Sequence, residues 1–76
     1  MAYPGRIALD PAVLGGKPHI RGTRISVEFV IGLMADGWAE ADIVREYQGV
    51  SPEDLRACLA YARDVLKLET IHTSAA

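Results

Sequence analysis

A single cysteine excludes an internal disulfide, and one cysteine with two histidines cannot build a zinc cluster. Cys58 falls inside a helical pattern and reads as a reduced core residue. No segment is apolar for long enough to cross a membrane. The opening "MAYPGRIALDPAV" holds no apolar run of signal-peptide length either. The expected location is therefore cytoplasmic, with no membrane partner. Strong charge of one sign is also missing. A net charge of −2 by itself argues weakly against a nucleic-acid binder.

What is present suits one folded domain. Half of the 76 residues are hydrophobic, which excludes a disordered tail. A single core of this size supplies roughly 3–5 kcal/mol, so a homodimer is the expected source of further stability. The small net charge hides an asymmetry. Residues 1–24 carry four basic residues against Asp10 alone, whereas residues 25–76 carry four basic and nine acidic ones. The split is +3 against −5, which suggests one surface for an anionic partner and another for something else.

The positive end lies in "GGKPHIRGTRISV", residues 15–27, where glycine and proline alternate with Lys17, His19, Arg21 and Arg24. "RIALD" (6–10) and "HIRGTRISV" alternate apolar and polar residues, as brief strands do. Between them, Asp-Pro, Gly-Gly and Lys-Pro are turn dipeptides. A loose hairpin or arm is expected over 6–26. From Ser26 the apolar period changes to 3.6, with Val27, Val30, Ile31 and Met34 on one face and Gly37 as the stop. A second helix is expected from Ala39 to Tyr47, closed by Gly49. "VSPEDL" marks a third, with Ser51 as cap, Pro52 in the first turn and Asp54 at the capping-box position. Val50 and Leu55 can form a hydrophobic staple across that start. Leu55, Leu59, Ala62 and Leu66, flanked by Cys58 and Val65, form the expected inner face of this helix. Glu53, Asp54, Arg56, Ala57, Ala60, Arg63, Asp64 and Lys67 are its expected outer residues.

The reading is mainly α: three helices of about ten, nine and sixteen residues in a tri-helical helix-turn-helix unit over 27–68. An N-terminal β-hairpin or arm precedes it, and a flexible tail is expected over 69–76. All of this forms one domain.

No enzyme emerges from these residues, and no cofactor or metal is expected. The Gly-Gly-Lys fails as a phosphate loop, because Pro11 stands where its first glycine belongs and Pro18 where Ser or Thr would hold magnesium. His19 and His72 lie at opposite ends of the chain and read as solvated side chains. Ser26 and Ser51 are explained as caps, and Asp10 as a turn residue. The third helix opens with two carboxylates, which phosphates would repel, although Arg56 and Arg63 can face a groove. Lys17, Arg21 and Arg24 are better candidates for DNA contact, on a strand flexed by Gly15, Gly16 and Gly22. They serve equally well as structural partners for acidic residues of the helices or of a second subunit. The composition leaves both roles open.

The run "LDPAVLGGKPHIRGTRISVEFVIGLMADGWAEADIVREYQGVSPEDLRACLAYA" resembles the small bacterial family named domain of unknown function 433. The most specific part is Gly-Lys-Pro-x-Ile-Arg-Gly-Thr-Arg, Gly16 to Arg24. The resemblance covers roughly residues 7–62 and implies a homeodomain-like tri-helical fold. It also implies an antitoxin akin to the VapB group, set against a PIN-like ribonuclease toxin. Lys17, Arg21, Gly22, Thr23 and Arg24 match the family signature. Two positions depart from it: Ala39 replaces a usual capping Ser or Thr, costing about 1 kcal/mol, and Gln48 replaces a common proline. The function expected on this basis is that of a dimeric antitoxin that binds operator DNA and neutralises a PIN-like toxin. Residues 67–76 or the basic arm are its candidate inhibitory segments. An interaction module that binds no DNA, and a stand-alone transcription regulator without a toxin, are the alternatives.

Overall fold

The structure, a computed structural model, describes residues 5–72. Strand β1 (Ile7–Ala8) pairs antiparallel with β2 (His19–Ile20), so that Ile7 faces Ile20 and Ala8 faces His19. Three helices follow: α1 (Val27–Ala35), α2 (Glu40–Glu46) and α3 (Pro52–His72). The fold is mainly α with a short N-terminal β-hairpin, as the sequence pattern predicts.

The connection between the strands is a folded loop. Asp10 accepts from the Ala12 amide through Oδ1 at 2.9 Å, and its carbonyl accepts from Val13 N at 2.9 Å. This is the Asx-type turn expected of an Asp-Pro pair. A single 3₁₀ turn over Leu14–Gly16 then returns the chain to β2.

Each helix boundary has a local chemical cause. Ser26 Oγ accepts from Phe29 N at 2.9 Å and starts α1. At its other end Gly37, at φ +97°, lets its amide reach Met34 O while Trp38 N reaches Leu33 O, both at 3.0 Å. That double bond pattern is a Schellman stop. Helix α2 starts without a side-chain acceptor, because Ala39 has none. Asp42 partly compensates by accepting from the Ala39 amide at 3.3 Å. Arg45, hydrogen-bonded to the Asp42 carboxylate at 2.7 Å, holds that carboxyl below its ordinary range, and the Ala39 amide adds to the effect. The α3 start is a complete capping box: Asp54 N donates to Ser51 Oγ at 3.1 Å, and Ser51 N donates to Asp54 Oδ2 at 3.0 Å. Val50 and Leu55 are both buried beside it.

The core joins Ile20 of β2, Val27 and Val30 of α1, Ile43 of α2, Val50, and Leu55 and Cys58 of α3. Each such side chain contributes about 1.5–3 kcal/mol on burial. Edge-on contact between Phe29 and Tyr47, 5.5 Å between centroids, closes the end where α1 meets α2.

Three expectations need correction. First, α3 packs through a different face from the one its leucines suggest. Leu55, Cys58, Ala57 and Ala60 are buried, whereas Leu59 is 47 % exposed and Leu66 is 61 % exposed. Alanine and cysteine are small enough for β1, α1 and α2 to approach α3 closely, and that decides the contact face over bulk hydrophobicity. Asp54, expected outside, is buried by the same rotation and by its cap role. Second, α3 continues past Leu68 to His72, so 69–72 are helical rather than tail. Residues 73–76 of the expected tail lie outside the described residues. Third, His19 is not solvated but 3 % exposed. Its backbone pairs with Ala8 on one side and bridges to Ser26 on the other, and its ring Nδ1 lies 3.1 Å from Lys17 O.

Candidate functional site

The basic segment folds into a tight turn that follows β2. Ile20 N donates to Ile25 O at 2.9 Å, and Thr23 N donates to Ile20 O at 3.0 Å. Thr23 Oγ1 reinforces the turn by donating to Ile20 O at 2.8 Å and accepting from Ile25 N at 3.0 Å. Gly22 takes φ +81°, a backbone setting that an L side chain rarely adopts. Arg21 and Arg24 therefore stand three residues apart on a fixed frame.

Two observations set this turn near the α2–α3 connection and the start of α3. A Cβ at Gly49, in the α2–α3 connection, would stand 3.6 Å from Thr23 Cγ2. Arg6, just before β1, donates through Nη1 to Asp54 Oδ1 at 3.0 Å. The turn and the N-terminal end of α3 are neighbours.

The five candidate cations differ in how far they are already engaged. Lys17 Nζ meets Glu28 Oε1 at 3.3 Å, with both side chains exposed. Arg21 donates through Nε to Gly5 O at 2.8 Å, a contact that leaves its charge uncompensated and its terminal nitrogens available. Arg24 is exposed and has no hydrogen-bond or ion-pair partner among the described residues. Arg56 is likewise exposed and unpaired among them. Arg63 Nε meets Asp64 Oδ1 at 3.0 Å.

The structure groups these residues in three places. Arg21 and Arg24 line one cleft of about 610 Å³ together with His19, Asp10 and Pro11. Arg56 and Arg63 flank Leu59 and Ala60 on the outer face of α3. Lys17 belongs to neither group. It stands with Pro18 at the edge of a groove of about 380 Å³ between α1 and α3, lined by Val27, Ile31, Tyr61, Val65 and Leu66. Sequence reasoning missed both this groove and the part of His19 and Asp10 in the cleft. The groove depends on how far α3 outruns the core, which no local pattern encodes. Pairing of β1 with β2 brings Asp10 near His19, and strand register is a tertiary property.

The same overrun leaves apolar surface uncovered. Val65 is 40 % exposed and Leu68 63 %, in addition to Leu59 and Leu66. No group of His, Cys, Asp or Glu able to hold a metal ion occurs among the described residues.

Residues 7–62 match the family described as "Protein of unknown function (DUF433)". The chain is similar to a DUF433 member protein from Anabaena variabilis ATCC 29413, whose crystal structure was determined at 2.00 Å. The two share 30 % identity with a TM-score of 0.77, over 83 % of this chain and 62 % of that one. This chain thus spans less than two thirds of that relative's length. Among curated proteins, none matches it.

Proposed function

The chain belongs to the DUF433 family, and from that premise we propose that it is a DNA-binding regulator of the antitoxin type. It acts as a dimer, holds operator DNA through the 20–25 turn and α3, and keeps a PIN-like ribonuclease toxin inactive.

One observation carries the DNA part. Arg21 and Arg24, neither matched by a carboxylate among the described residues, are held on a fixed turn beside the α2–α3 connection. Exposed guanidinium groups carried on a fixed backbone turn suit phosphate contact, which positions a protein on a duplex. Arg56 adds a free cation on α3, while Arg63 gives up Asp64 to join. The exposed Glu53 in the first turn of α3 keeps that turn away from the backbone, so the 20–25 turn bears most of the affinity.

The uncovered apolar face of α3 supports the protein partners. A second copy suits the Val65–Leu68 stretch, because Val65 and Leu66 border an apolar groove that Val27, Ile31 and Tyr61 also line. The rival reading is an interaction module that binds no DNA, favoured by this same face and by the acidic residues of α2.

Expression of the neighbouring gene with and without this chain tests the antitoxin part. Growth arrest relieved by co-expression, with a stable co-purified complex, is the expected result. A harmless neighbour and no complex would leave the DNA part to stand alone.

A further inference from the structure

His19 is 3 % exposed, yet among the described residues only one of its ring nitrogens has a partner. Nδ1 lies 3.1 Å from Lys17 O. A carbonyl only accepts, so Nδ1 carries the hydrogen, and Nε2 of the neutral ring is an acceptor. Nε2 has no partner among the described residues, and no buried side-chain nitrogen or oxygen among them is left unsatisfied. Nε2 therefore keeps some contact with solvent, and His19 is among the residues that line the cleft.

That cleft has a lopsided chemistry. Arg21 and Arg24 supply two positive groups against the single carboxylate of Asp10, whose Oδ1 is already bonded to the Ala12 amide. An anion is favoured there, and beside the anion stands a fixed acceptor that asks for a hydrogen. An ionised phosphodiester brings none, so its oxygen lone pairs would face the Nε2 lone pair. A phosphate monoester brings one: its second dissociation lies near pH 6, roughly, so the singly ionised form is readily available.

We propose that this cleft binds a phosphate monoester, with Arg21 and Arg24 on its ionised oxygens and His19 Nε2 accepting the hydrogen of its P–OH. Transfer of that hydrogen to Nε2 gives an imidazolium beside a dianion with the same proton count, so the complex is matched in either form. The volume of about 610 Å³ exceeds what a phosphate needs, and Leu9 and Pro11 offer an apolar wall to the organic remainder. The backbone frame is set before binding, because the Thr23 hydrogen bonds fix the turn that carries both arginines and the Lys17 carbonyl holds the ring. The site goes beyond duplex binding, whose internal phosphates are diesters, and neither property requires the other. A phosphorylated strand end and a small phosphorylated metabolite present the same chemistry.

The test follows the His19 imidazole nitrogens by NMR in the full chain, at constant pH and ionic strength. Inorganic phosphate and methyl phosphate are expected to shift Nε2 saturably, and dimethyl phosphate, which can reach the arginines but offers Nε2 no hydrogen, is expected to give a weaker response than either. Arg24→Ala, at an exposed position, is expected to weaken the methyl phosphate response about tenfold, the worth of one charged hydrogen bond. A 5′-phosphorylated oligonucleotide that binds more tightly than methyl phosphate identifies a strand end as the source. Equal affinity points to a small metabolite, and the monoester site stands in both cases. An equal response to dimethyl phosphate, or no saturable shift in the folded protein, would overturn the proposal. The 5′-hydroxyl oligonucleotide reports on general nucleic-acid binding, so failure of that reading is seen separately.

Discussion

Arg6 Nη1 and Asp54 Oδ1 meet at 3.0 Å across 48 residues of chain, and the same carboxylate caps α3 through its other oxygen. Asp54 thus ties the hairpin to the helix-turn-helix and starts the longest helix. Asp54→Ala should cost about 1–2 kcal/mol, a cap worth about 1 plus a partly exposed ion pair worth less than about 1. A domain of this length loses about 4–8 °C in melting temperature per kcal/mol. Arg6, with a side chain 45 % exposed, should cost less than about 1 kcal/mol when changed to Ala. Thermal melts of the two variants and their double mutant check the ranking. Equal losses would mean that the ion pair, rather than the cap, dominates.

Local signals made the helices legible. Ser26, Gly37 and "VSPEDL" are short-range instructions, and the boundaries they set appear in the structure within a residue or so. The strands were legible for the same reason, since their alternation and the Asp-Pro turn are local. The packing face of α3 was not, because two apolar stripes overlap on it. The choice between Leu59–Leu66 and Leu55–Cys58 depends on which neighbours come close, and small Ala57 and Ala60 decide it. Of the site, Arg21 and Arg24 could be read from charge and glycine content. The burial of His19 could not, because it arises from strand pairing.

The two stripes of α3 should respond in opposite ways. Leu55→Ala, at a fully buried position, should cost about 2–5 kcal/mol and can unfold a domain of marginal stability. Leu66→Glu, at an exposed position, should leave the circular dichroism and melting temperature of the monomer unchanged. Size-exclusion with light scattering should show a dimer in the wild type and a monomer in Leu66→Glu. A dimer that survives this change would move the interface off α3.

Cys58 provides a pH test of the core. Burial, with help from the nearby Asp54 carboxylate, pushes its thiol from an ordinary 9.0 up to about 11. The unfolded chain gives up this proton first, so the contribution of Cys58 to stability is complete below pH 9 and declines as pH rises towards 11. Urea midpoints between pH 8 and pH 11 should fall more steeply for the wild type than for Cys58→Ala, by up to about 2–3 kcal/mol. Parallel curves would show that the thiol ionises as easily in the fold as out of it. Thiol reagents should likewise react slowly with the native protein and rapidly in urea.

The central claim is that the 20–25 turn holds DNA, and the salt dependence of binding tests it most directly. Affinity for the duplex upstream of the gene would be measured over a salt series for the wild type and for Arg21→Ala with Arg24→Ala. Each phosphate contact contributes a slope of about 0.9 in log affinity against log salt. The double variant should lose duplex binding at physiological salt, and any remainder at low salt should show a slope shallower by about 2, with normal circular dichroism. Unchanged low-salt affinity and slope in a folded double variant would contradict the account. Loss of the dimer or of thermal stability instead would assign these arginines to the structure rather than to DNA.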